Sequence, residues 1–153
     1  MEEFYVAFID KIFTFCLYRT GKWQVAQDLT SATFLKFFKT NWRLYENPTA
    51  YLYTVCRNTI IDYYRQRKET VSLETLIESG HEVGATFDND QRLLMMEIFK
   101  EIEKLPTDQK DVVLMRYVQD LDNKTIAQVL SKTEAAVKSL AHRGLTTLRG
   151  KLK

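Results

Sequence analysis

Phe4, Phe8, Ile12, Phe15 and Cys16 recur at intervals of three and four residues, the spacing of one face of an α-helix. The same rhythm returns in Val25, Leu29, Ala32, Phe34, Leu35 and Phe38, and again in Tyr51, Leu52 and Val55. No stretch alternates apolar and polar residues long enough to make a strand. Thr20-Gly21 ends the first helix, and Asn41 with Tyr45-Glu46-Asn47-Pro48 separates the second from the third. Pro48 cannot continue a helix but suits the first turn of a new one, where its missing N–H has no acceptor to lose. Asn58 lies within the third pattern. Asparagine favours caps over helix interiors, which predicts a break there and a short fourth helix from Thr59 to about Lys68.

The rhythm fails between Thr70 and Asn89, where Ser72, Ser79, Gly80, Gly84 and Thr86 are scattered among acidic residues. This predicts a flexible linker over 70–89 between two bodies, 1–69 and 90–153. Leu93, Leu94, Met96, Ile98 and Ile102 then give a fifth helix, stopped at Leu105-Pro106, and Val112 to Tyr117 a sixth. Asn123–Leu130 and Glu134–Leu152 close the chain. The expectation is an all-α protein: two small helical domains of four helices each, the second ending in a helix-turn-helix. In that motif Ala127 is small enough for a close crossing, Ile126, Leu130 and Val137 share a small core, and Thr133 caps the second helix. Ser131 occupies a turn position often taken by glycine, which counts against the motif, and it is tolerated if the turn avoids a strongly left-handed conformation. The stripe Val137, Leu140, Ala141, Leu145, Leu148 and Leu152 faces inward. Glu134, Lys138, Ser139, His142 and Arg143 are left on outer faces. These types suit phosphate and base-edge contacts in a major groove.

Charge adds a second division. The net +2 conceals a balance of +3 over residues 28–69 (seven Lys/Arg against four Asp/Glu) and +4 over 105–153 (nine against five). Between them, residues 70–104 stand at −5 (three against eight). Two basic blocks on different bodies suggest two surfaces that face a polyanion. With 45% hydrophobic and 27% charged residues the chain can build ordinary cores. No apolar run reaches the roughly 18 residues of a membrane span. Nothing basic precedes an apolar stretch at Met1-Glu2-Glu3, so a cytoplasmic protein without membrane insertion is expected. Cys16 and Cys56, 40 positions apart in apolar contexts, read as buried reduced thiols. With His81 and His142 they offer no metal-ligand spacing, and no cofactor motif is present. No catalytic constellation is found, so the chain is not read as an enzyme.

Several short motifs then carry a resemblance. Leu105-Pro106, Val113-Leu114-Met115-Arg116-Tyr117, Thr125-Ile126-Ala127 and Val137-Lys138-Ser139-Leu140 with His142-Arg143 resemble domain four of the extracytoplasmic-function sigma factors of bacterial RNA polymerase. Ala26-Gln27-Asp28-Leu29-Thr30, Thr33-Phe34, Asn47-Pro48, Tyr51-Leu52-Tyr53, Arg57-Asn58, Asp62-Tyr63 and Arg65-Gln66-Arg67 resemble domain two of the same family. Each motif is weak alone; their ordered combination over nearly the whole chain is specific. The resemblance implies a factor that directs core polymerase to promoters and assists strand opening, and it implies roles for particular residues. Asp28, Leu29, Thr33 and Phe34 would lie against the polymerase clamp. Asn58 would capture an unstacked base of the −10 element, with Asp62, Tyr63, Arg65, Arg67 and Lys68 holding the single strand. Thr133, Glu134, Lys138, Ser139, His142 and Arg143 would serve the −35 major groove. Core polymerase, promoter DNA and an anti-sigma factor are the implied partners.

The chain also departs from that pattern. Ser31-Ala32 replaces a usual Gln-Glu pair, Lys132 stands at a usually apolar turn position, and Leu140 and Leu145 stand where arginine is common. Fewer cations imply weaker phosphate anchoring and a shallower salt dependence for the second domain. Two other readings of the residues remain open: a conventional helix-turn-helix regulator with an amino-terminal effector or dimerisation domain, and a helical protein-binding adaptor without DNA.

Overall fold

The computed structural model describes residues 1–67 and 89–152, and all the regular structure within them is helical. Among the described residues there are seven α-helices: α1 (Glu2–Thr20), α2 (Trp23–Phe38), α3 (Pro48–Gln66), α4 (Asn89–Glu103), α5 (Thr107–Val113), α6 (Asn123–Leu130) and α7 (Glu134–Leu152). A 3-10 turn spans Trp42–Leu44, and a π-helical turn, Leu114–Val118, continues α5. Apart from Asn89, which opens α4, the expected linker at 70–89 lies outside the described residues, as does Lys68.

Local signals end these helices where the chain chemistry requires. Gly21 takes the left-handed conformation after α1 (φ 74°), and its N–H returns to the Leu17 carbonyl. Pro48 occupies the first turn of α3, and the Asn47 side chain caps it by accepting from the Ala50 N–H at 3.1 Å. The expected break at Asn58 does not occur. Residues 48–66 form one continuous helix, because the packing of Cys56, Thr59 and Ile60 on either side outweighs the low helix propensity of one asparagine.

Helices α1, α2 and α3 enclose an aromatic core. Phe4 stacks on Phe37 at 5.1 Å and meets Trp42 at 4.9 Å, and Phe13 packs on Trp23 at 5.2 Å. Threonines enter this core with their hydroxyls satisfied: Thr30 and Thr33 donate to the carbonyls of Ala26 and Leu29, one turn back. Cys16 and Cys56 are buried free thiols with sulfurs 3.6 Å apart, and burial pushes the Cys56 thiol up, away from reactivity. Tyr53 is a core residue, whereas Tyr51 is half-buried against Phe37 and Tyr45.

The second body forms around α7, which packs on α4, α5 and α6. Two details differ from the periodicity. Met95, Phe99 and Ile102 face inward from α4, while Leu93 and Leu94 stand exposed. The apolar run from Leu93 to Met96 is continuous enough to fit either face, and only the 95/99/102 spacing meets the partner helices. On α2 likewise, Leu35 points outward and Phe37 inward.

The two bodies are in contact. Helix α3 packs on α6, and α1 packs on α4 and on the π-helical turn. At the seam Asp111 is wholly buried: Arg19 Nε lies 2.6 Å from one oxygen and Arg57 Nε 2.7 Å from the other. Arg57 also reaches Asp108 at 3.0 Å. The Tyr53 hydroxyl donates to Gln119, Asn47 Nδ2 donates to Thr125 at 3.1 Å, and Arg92 lies over the Trp23 ring at 4.8 Å. The extra residue of the π-helical turn, whose Gln119 N–H returns to the Leu114 carbonyl, aims Gln119 at Tyr53.

Two substitutions test the second body. A Cβ on Gly144 would sit 2.5 Å from Val113 Cγ2, a buried branched methyl that cannot swing away. Overpacking of ~1–3 kcal/mol therefore exceeds the ~1 kcal/mol helix gain, and Gly144→Ala should destabilise by about 1 kcal/mol. Ser131, exposed, holds φ 54° and ψ 46°, so the turn does enter the left-handed region despite the lack of glycine. Ser131→Gly should stabilise by ~1 kcal/mol. Urea unfolding of both variants measures the two shifts.

Candidate nucleic-acid and polymerase interfaces

The helix-turn-helix is built from its caps upward. Asp122 accepts from the Thr125 N–H at 2.8 Å and so starts α6, which buries Ile126, Ala127, Val129 and Leu130. Hydrogen bonds from the Thr125 hydroxyl and amide, helped by Lys124 and Arg116, hold the Asp122 carboxyl below its usual range. Thr133 starts α7 by accepting from the Ala136 N–H at 3.1 Å, as its position in the sequence predicts. Val137, Ala141, Gly144 and Leu148 then face inward, with Leu140 and Leu145 half-buried on the flank. Ala127 and Gly144 are the small residues that let the helices approach, and only the first is expected from the sequence.

The outer face of α7 carries Glu134, Lys138, Ser139, His142 and Arg143, all exposed, with Thr133 exposed at its start. Helical spacing sets Glu134 and Lys138 one turn apart, and places His142 and Arg143 within one turn of Ser139. These side chains therefore line the first two and a half turns of one helix. Lys132 does not imitate the apolar residue usual at its place: its ammonium pairs with Asp108 at 3.2 Å.

On α3, Asn58 is exposed on the surface of an unbroken helix, where a break was expected. Asp62 and Arg65 follow it on the same face and pair at 3.4 Å. Tyr63 is half-buried, with the Arg67 guanidinium 5.6 Å from its ring centre. Tyr64, one position on, turns inward and donates to the Arg19 carbonyl at 2.7 Å; burial raises its phenol. Arg65 and Arg67 are exposed at the end of the helix.

The four residues expected against the polymerase clamp divide. Asp28 is exposed, but Leu29 and Phe34 are buried and Thr33 is completely so, its hydroxyl committed within the helix. The face that α2 turns outward is Asp28, Ser31 and Leu35, continued by Lys39 just past the helix end, spaced at three and four. Ser31, Leu35 and Lys39 border an open apolar hollow of about 560 Å³ with Tyr5, Phe34 and Phe38. Leu35, 64% exposed, is the residue that periodicity assigned inward. Its signal was available in Phe34 and Phe37, which already complete the buried stripe.

The described residues thus form two helical bodies, one ending in a helix-turn-helix and the other presenting an exposed asparagine and a basic helix end. Residues 4–70 match the family Sigma-70 region 2, and residues 95–148 match Sigma-70, region 4. The RNA polymerase sigma-E factor of Streptomyces coelicolor is 33% identical over 131 residues, covering 83% of this chain and 71% of that protein. The ECF RNA polymerase sigma factor BldN of the same organism is 28% identical over 94% of this chain, which spans 57% of BldN's length. The ECF sigma factor SigM of Bacillus subtilis is 24% identical over 97% of this chain and 93% of its own. Among solved structures, the sigma factor RpoE of Bartonella quintana, in complex with the anti-sigma factor NepR, has the same fold. Its TM-score is 0.77 at 18% identity, over 99% of this chain and 95% of that one. The chain belongs to the sigma-70 family, as an extracytoplasmic-function sigma factor, the class that gives core RNA polymerase its promoter specificity. No helix among the described residues is long and apolar enough to cross a membrane.

Asp122 provides a pH test of the reader's framework. A carboxyl held low in the folded state contributes stability that is full above its unfolded value, 3.8, and is lost as pH falls through the lower folded value. Asp122→Ala should therefore lower the urea midpoint at pH 7, and the deficit should shrink as pH drops below 3.8.

Proposed function

We propose that residues 1–69 form the domain that docks on core polymerase and opens the −10 element, and residues 90–153 the domain that reads the −35 element. Residues 70–89 join them. The observation that carries this reading is the outward placement of polar and cationic side chains on two separate helices. Asn58 stands free on α3 above Asp62, Tyr63, Arg65 and Arg67, while Lys138, Ser139, His142 and Arg143 line α7. An exposed amide can hydrogen-bond the edge of an extruded base, and the arginines and Tyr63 can hold phosphates and stack. With Thr133 and Glu134 at its start, α7 enters a major groove by its amino-terminal turns. Lys68 continues the basic end of the −10 surface in sequence.

Polymerase contact falls on α2, through Asp28 and the outward residues beside it; Leu29, Thr33 and Phe34 hold that face in shape from behind. Transcript synthesis remains the polymerase's chemistry, and this chain supplies recognition and strand opening in the cytoplasm. An anti-sigma factor is a further partner by analogy, since the Bartonella quintana relative was crystallised with one. A conventional regulator would bind duplex operator tightly alone and ignore core enzyme.

The test is transcription with purified core polymerase and a promoter library. Asn58→Ala should retain core binding within about twofold while open-complex formation falls roughly tenfold or more, the loss of a base contact worth ~1–3 kcal/mol. Permanganate footprinting reads the melting, and equal loss of both activities would remove Asn58 from the −10 role.

A further inference from the structure

Helix α2 packs on α1 and α3 by its inner sides and leaves one face uncovered, and that face is complementary to itself. Asp28, Ser31 and Leu35, continued by Lys39 just past the helix end, fall within about 80° of one another around the axis. Leu35 stands 64% exposed, and beside it Ser31, Tyr5, Phe34 and Phe38 border the hollow of about 560 Å³. This is a knob next to a hole. The two cannot meet within one chain, because both lie on the same face of the same helix. Neither Asp28 nor Lys39 has an ion-pair partner among the described residues.

The order of these residues decides what can cover them. Ser31 and Leu35 are symmetric about position 33, and Asp28 and Lys39 about a point half a residue further on. A second α2 laid antiparallel across the first, with a two-fold axis at that point, brings each Leu35 over the other copy's Ser31. It also sets each Asp28 opposite the other copy's Lys39, about 8 Å from the axis at either end. The small side chains of Ser31 and Ala32 let the helices approach to the ~8–10 Å of ordinary helix packing. A parallel arrangement would instead set Asp28 on Asp28 and Lys39 on Lys39, and repel. One helix face with the hollow beside it is at the small end of specific interfaces, which fits a dissociation constant on the order of 10 μM.

We propose that α2 is the interface of an antiparallel homodimer, with Leu35 seated beside Ser31 and Asp28 paired with Lys39 across the two-fold axis. Its consequence rests on the assignment of this same face to polymerase. The dimer covers the face, so concentrated free protein is held as dimers and core polymerase takes up the monomer. The apparent affinity for polymerase then falls as the chain concentration rises above the dimer constant.

Sedimentation equilibrium of the full chain from about 1 to 200 μM reads that constant. A reversible monomer–dimer equilibrium is expected, and a monomer throughout the range overturns the proposal. Leu35→Glu removes the knob from an exposed position, so it should keep the wild-type helicity and raise the constant tenfold or more. Asp28→Lys and Lys39→Asp each place two like-charged pairs across the axis and should raise it roughly tenfold. The double variant, Asp28→Lys with Lys39→Asp, re-forms both pairs in reverse and should return it to within about threefold of wild type. Undiminished association in Leu35→Glu overturns the proposal, and so does a double exchange that restores nothing. Where circular dichroism shows that Lys39→Asp shortens the helix, Leu35→Glu decides alone. Adding core polymerase to the wild type should replace the dimer by a complex with one copy of the chain. A dimer that passes these tests and persists on the polymerase counts against the polymerase face assigned to α2 and leaves the dimer standing.

Discussion

A carboxylate without access to water must be answered by charge, and in this protein both oxygens of Asp111 are answered by arginines from the other half of the chain. Transferring such ions from water costs several kcal/mol each, and attraction recovers this only when geometry is good and every donor is engaged. The consequence is positional. Helix α5 can sit in one place against α1 and α3, and the π-helical turn and α6 that follow inherit that placement. Removing one partner of such a set leaves a bare buried charge, typically at a cost of about 3–5 kcal/mol, so the seam is specific even where its net contribution to stability is small.

Within each body the same economy of polar groups recurs. Threonines occupy core positions because their hydroxyls return to carbonyls one turn back, which lets α2 bury Thr30 and Thr33 beside phenylalanines. Asn47, Asp122 and Thr133 satisfy the first amides of α3, α6 and α7, and each marks a helix start that the functional surfaces depend on. The polar side chains that remain outward are Asn58 on one helix with Arg65 and Arg67 at its end, and Lys138, Ser139, His142 and Arg143 on another helix. An inward threonine such as Thr33 supports a docking face without touching what docks there.

The reach of the sequence followed the range of the interactions involved. Helix limits set by local chemistry were legible: Pro48 opens α3, Thr133 caps α7, and both helices of the helix-turn-helix lie where the spacing of apolar residues placed them. Faces were less legible wherever apolar residues adjoin. Leu35, Leu93 and Leu94 could fit a buried stripe by count, and only the position of a neighbouring helix sends them outward. Asn58 reads as a helix breaker by propensity, yet its neighbours' burial carries the helix through it.

By itself, then, the sequence determined the all-α class, the order of the helices, the caps and the family motifs, because each depends on residues within about four positions of one another or on a linear order. Tertiary structure alone decided the left-handed turn at Ser131, the close crossing at Gly144 and the contact of the two bodies. Asp111 finds its partners 92 and 54 residues away. No periodicity records such a separation, since what selects a buried charge is the field of the groups packed around it.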